Sequence, residues 1–134
     1  MTELNQNNLF EDAEIISVYS RAQAIEDGVL IDVSELAGEA GFKFPVAVTC
    51  GLWAEAIEPD EASKAIGQSE IGRLWDILLI LRMAIRKAVN IYTILFNPLF
   101  VFNGQKPIAK QLKAVCSPGD DLEPVITIML PNED

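Results

Sequence analysis

The sequence predicts an α+β domain: short capped helices and strands in its first half, one long central helix, then a three-stranded antiparallel meander packed on that helix. Three observations carry this expectation. Apolar residues in "EIGRLWDILLILRMAIRKAV" (70–89) recur at helical spacing through roughly five turns. From Asn90 onward the pattern changes to β-rich runs separated by turn chemistry. Before residue 70, hydroxyl residues and glycines divide the chain into pieces long enough only for single short elements.

Taken in order, "EIISVY" (14–19) fits helical spacing, but its β-branched density favours a strand. Ser20 with Gln23 three residues on is a capping-box pattern, so a short helix spans about 20–27. Gly28 supplies its left-handed terminus. "VLIDV" (29–33) is an apolar run for a strand. Ser34 is expected to cap a second helix ending near Gly41, with Glu35 facing the helix dipole and Gly38 weakening the interior. "FKFPVAVT" (42–49) is β-rich, with Pro45 suited to an edge strand or an early position. Thr49 caps a helix through Ala56 or Ile57, "EPDEASK" reads as a surface link, and Ser69 caps the long helix. The three final strands lie in "IYTILFNPLFVF", "KPIAKQLKAVCS" and "EPVITIMLP", with Asn103-Gly104 and "SPGDD" in their connections.

At 134 residues, half of them hydrophobic, the chain is expected to be one domain, 1–134, with 1–10 as a flexible start. No cationic stretch precedes an apolar run near Met1, so no signal peptide is expected and the protein is placed in the cytoplasm. Charges at Arg73, Asp76, Arg82, Arg86 and Lys87 interrupt the apolar helix, so it is not expected to span a membrane. Cys50 and Cys116 form no CxxC pair and are expected to be free, buried thiols. The absence of histidine excludes Ser-His and Cys-His nucleophiles and His-based zinc, and no cofactor is expected.

The charge is divided unevenly. Residues 1–70 hold 14 acidic and 3 basic side chains, whereas residues 71–134 hold 6 acidic and 7 basic ones. An acidic field repels phosphate and attracts cations, so direct nucleic-acid binding is not expected and a basic protein partner is. The candidate partner-binding residues are Glu26, Asp27, Asp32, Glu35 and Glu39, in "AIEDGVLIDVSELAGEAGF". Their spacing does not make a calcium loop, because Val29 to Ile31 occupy ligand positions. The ordinary reading of five such acids is caps and solvated positions. A glycosidase-like pair is the catalytic alternative.

On the long helix, Glu70, Arg73, Asp76 and Lys87 project to one stripe, with Arg82 and Arg86 nearly opposite beside Trp75 and Leu79. These two arginines are expected to snorkel over apolar surface, with a buried ionic link to the acidic half and an exposed anion-binding face as alternatives. Cys50, expected at a strand-to-helix junction, has no base nearby in sequence and is read as structural.

The blocks "RAQAIEDGVLIDVSE" (21–35), Ala40 to Thr49 and Trp53, with the tail "GDDLEPVITIMLPNED" (119–134), resemble a family of small uncharacterised proteins from bacteria, plasmids and phages. The resemblance implies no established activity. Occurrence on mobile elements implies an accessory role, such as interference with host defence. Gly38 and Cys50-Gly51 depart from the family pattern, and no site is carried onto them. The leading expectation is therefore a non-catalytic acidic interaction protein. The alternatives are a histidine-independent enzyme using carboxylates or Cys50, and a homo-oligomer subunit pairing through strand 90–102 or 124–131.

Overall fold

The computed structural model describes residues 19–89 and 92–133. The expected flexible start at 1–10, and "EIISVY" apart from Tyr19, lie outside the described residues. The chain is mixed α and β, organised by the long helix and a five-stranded sheet.

Helix α1 (Arg21–Glu26) carries the complete capping box between Ser20 and Gln23, and Gly28 beyond it has φ +79°. Strand β1 (Leu30–Asp32) follows, then helix α2 (Ser34–Glu39). Ser34 is not the expected N-cap. Val33 holds that position, and the Ser34 hydroxyl instead donates to Asp32 and accepts from the Val46 backbone N–H at 3.0 Å. The reason is the neighbouring strand β2 (Val46–Thr49), whose first backbone donor competes for that oxygen. Thr49 caps helix α3 (Cys50–Leu52), which continues as a π-helical stretch, Trp53–Ile57.

The "EPDEASK" segment is more than a surface link. Asp60 caps helix α4 (Glu61–Ala65) by accepting from the Ser63 N–H at 2.8 Å and also accepts from Asn103 N–H. Ser63 is fully buried and bonds Val101 and Gly104, which fastens the helix to a distant connection. The sequence pattern places polar residues outside by default, and this one is enclosed because both its hydrogen-bond roles are filled. Helix α5 (Glu70–Lys87) starts at Ser69 as expected and buries Leu74, Ile77, Leu78 and Leu81.

Strands β3 (Thr93–Phe96), β4 (Leu99–Phe100), β5 (Ile108–Ala109), β6 (Leu112–Pro118) and β7 (Pro124–Met129) complete the chain. The expected first strand breaks at Asn97-Pro98, where proline removes a ladder donor. Its second part pairs separately, β4 with β5, around Asn103 and Gly104, both at positive φ. The main sheet has the order β1-β2-β7-β6-β3. All neighbours are antiparallel except β2 and β7, which run parallel with Val46 opposite Ile126. Pro45 thus precedes an internal strand, and β7 is paired on both sides, so strand 124–131 offers no edge for a second copy. The edges are β1 and β3.

All four β2 residues are buried, as expected for a strand covered on both faces. Val46 and Val48 join Ile126, Ile128, Leu112 and Ala114 in the core beneath α5. On the alternate face α1 is tied down by Arg21, which donates to Thr127 Oγ1 at 2.7 Å and the Ile126 carbonyl at 2.8 Å. Burial draws the Arg21 guanidinium below its ordinary value, opposed by the charges of Asp32, Asp120 and Glu123.

Asp120, in the β6–β7 turn, accepts from the N–H groups of Arg21 and Ala22 at 2.8 and 3.0 Å. It therefore serves the first donors of α1, which the capping box leaves unsatisfied. These bonds hold Asp120 below the usual carboxylate range, and the Asn103 and Ser63 N–H groups do the same for Asp60. Both groups take up protons more readily unfolded than folded. Their stabilising contribution is complete above the unfolded value, roughly pH 4, and is lost as pH falls through the lowered folded values. Denaturant titrations between about pH 5 and pH 2 are expected to show this loss, and Asp60→Asn or Asp120→Asn is expected to flatten the curve.

Candidate functional site

The five carboxylates singled out from the sequence are carried by α1, by the edge strand β1 and by α2. Glu26 and Asp27 stand at the end of α1, Asp32 ends β1, and Glu35 and Glu39 lie four residues apart on α2. All five are exposed. Tyr19 donates its hydroxyl to Asp27, and this bond raises the Tyr19 phenol above its ordinary value. Asp32 accepts from Ser34 N–H at 3.0 Å. The ion pairs among the described residues are Lys64–Glu61 and Lys110–Glu55, so none of the five acids is in direct ion-pair contact there, although the charge of Asp32 acts on Arg21.

Arg73, projected onto the polar stripe of α5, is instead the buried arginine, at 2% exposure. Its guanidinium donates to the Ala56 carbonyl at 2.8 Å, to Val101 and to Gln68, and lies 5.3 Å from the Phe102 ring centroid. Ala56 lies at the end of the π-helical stretch, where carbonyls lack intrahelical partners. Burial lowers the Arg73 guanidinium, with the Asp60 charge acting oppositely. A projection of one helix does not contain the distant carbonyls that make this position tolerable for a cation.

Arg82 and Arg86 are exposed, so neither makes the buried ionic link. They border a cleft of about 480 Å³ between the last turns of α5, the 41–44 loop and the inner sheet face. Phe42, Phe44, Ile85, Ile94, Ala114 and Ile126 supply apolar walls, and the charged lining is Lys43, Arg82 and Arg86, with no carboxylate. Arg82 is held in place by donating to the Ala40 carbonyl at 3.1 Å. The loop beside it favours glycine at position 41 through its backbone conformation. Gly41 has φ +101°, and a Cβ there would stand 2.7 Å from the Arg82 guanidinium.

A larger cleft, about 720 Å³, lies between α1 and the β6–β7 turn. Its charged side chains are Arg21 and Asp120, both already bonded within the fold. Neither cleft brings Cys50 or a pair of carboxylates to its wall, which the enzyme reading requires. Both cysteines are free, but Cys50 is exposed and Cys116 half-buried, in place of the expected buried thiols. Cys50 opens α3 on its outer side, and Cys116 is uncovered where β6 passes the 480 Å³ cleft. Among the described residues no group of acidic or cysteine side chains has metal-binding geometry, and no helix is long and apolar enough to cross a membrane.

The family model that matches this chain is DUF6573, described as a family of unknown function, and it spans residues 6–134. No curated protein and no solved structure matches it.

Proposed function

We propose, for a chain that belongs to the DUF6573 family of unknown function, a non-catalytic role in which the acidic α1–β1–α2 edge binds a basic protein. The observation that supports this reading is that Glu26, Asp27, Asp32, Glu35 and Glu39 are all exposed and none has an ion-pair partner among the described residues. Charges left in water this way contribute little to stability, yet they steer an oppositely charged surface and speed its docking. In the more specific form of the reading, the protein is carried by a mobile element and offers carboxylates where a nucleic-acid-binding or defence protein expects phosphates. The second half then serves as scaffold, with β3, β6 and β7 as successive antiparallel strands behind α5.

Charge reversal tests the proposal. The variant Glu26→Lys, Glu35→Lys, Glu39→Lys spares Asp27 and Asp32, whose carboxylates bond Tyr19 and Ser34. Immobilised wild type is expected to retain a basic protein from a host lysate at ~0.05 M salt and release it at ~0.5 M, where screening is strong. The variant, with unchanged thermal unfolding, is expected to lose at least tenfold in affinity for that same protein. Equal retention by both chains would sink the reading.

A further inference from the structure

We infer that the cleft between α5 and the inner sheet face binds a medium-chain carboxylate, its tail on the Ile94–Ala114–Ile126 floor and its head at Arg82 and Arg86. The inference uses a different part of the molecule from the acidic edge. The cleft's volume, about 480 Å³, lies in the range of small-molecule sites, and its composition, mostly apolar with a few polar groups, is theirs as well. At about 30 Å³ per water in the liquid, such a space equals on the order of sixteen waters, room for a medium-length acyl chain.

Charge selects the head group. The chain has 10 basic residues against 20 acidic ones, yet three basic residues from two separate segments line this cleft without an acid. Arg86 near the end of α5 also complements the helix dipole, which is a sufficient reason for one cation there. It does not account for Lys43, which approaches from the 41–44 loop, or for Arg82, already fixed over Gly41 by its bond to Ala40. Among the described residues neither Arg86 nor Lys43 has an ion-pair partner. A carboxylate is matched by the guanidinium fork, and the adjoining apolar walls keep water from one side of that contact. The source is a free acid, not a lipid leaflet, because the net charge of −10 opposes approach to an anionic bilayer.

Decanoate is the probe, followed by calorimetry and by the methyl resonances of Ile85, Ile94 and Ile126. The expected result is saturable binding that shifts those methyls, at least tenfold weaker for decanol and for decylammonium, and at least tenfold weaker in Arg82→Gln/Arg86→Gln. Arg86→Gln alone, which breaks no hydrogen bond among the described residues, is expected to weaken binding severalfold with unchanged thermal unfolding. Unshifted methyls, equal affinity for decanol, or equal affinity in folded Arg86→Gln and the double variant would overturn the assignment. So would recruitment to phosphatidylglycerol vesicles that depends on the two arginines while decanoate fails to bind.

Discussion

Arg73→Met is expected to lose about 2–4 kcal/mol of folding stability, read as a lower urea midpoint at unchanged slope and a melting temperature lower by roughly 10 °C. Removing the guanidinium relieves its own desolvation, and where both members of a buried polar pair are replaced together the outcome is often neutral. Here two of the three acceptors are backbone carbonyls and remain in place, the third being the Gln68 side chain. Val101 retains the Ser63 hydroxyl, but the Ala56 carbonyl loses the bond that Arg73 supplies. The contact with Phe102 disappears as well. Arg73→Lys keeps the charge without the fork, so it is expected to fall between wild type and Met. A Met variant as stable as wild type would mean that water reaches the Ala56 carbonyl.

Leu78→Ala is the second large effect, about 3 kcal/mol within a range of roughly 2–5. Leu78 is fully buried in the cluster that α5 shares with β2, β6 and β7, where a deleted side chain leaves space that close-packed neighbours fill only in part. Met83 on the same helix is 55% exposed and provides the internal control. Met83→Ala is expected to change stability by no more than about 0.5 kcal/mol. Because alanine has the higher helix propensity at both positions, any difference between the two variants is one of packing. Matching denaturation curves for them would refute the placement of Leu78 in the core.

Much of this architecture was legible wherever a local rule decides the conformation. Ser20 with Gln23, Thr49 and Ser69 are readable as N-caps because the capping bond joins residues three apart, and Gly28 as the left-handed residue after α1. Leu112, Ala114 and Cys116 share one face of β6 by simple alternation. What local rules leave undecided shares a cause. Ser34, Ser63 and Arg73 are each claimed by backbone groups far away in sequence, at Val46, at Val101 and Gly104, and at Ala56 and Val101. Periodicity assigns a polar residue to water unless a partner is known, and these partners exist only after folding. The acidic edge was visible as composition. The basic-rimmed cleft was not, since Lys43 and Arg86 lie 43 residues apart and meet only when α5 covers the sheet.

The parallel pairing of β2 with β7 has a further consequence, for how the chain is made. Val46 to Thr49 have only β1 beside them until Pro124 to Met129 arrive, long after β2 itself has been made. A nascent chain stopped after Pro118 leaves β2 and β6 each short of a neighbour, so cooperative folding waits for Pro124 to Met129. Fragments ending before Pro124 should therefore be cut rapidly by proteases, while the full chain resists them.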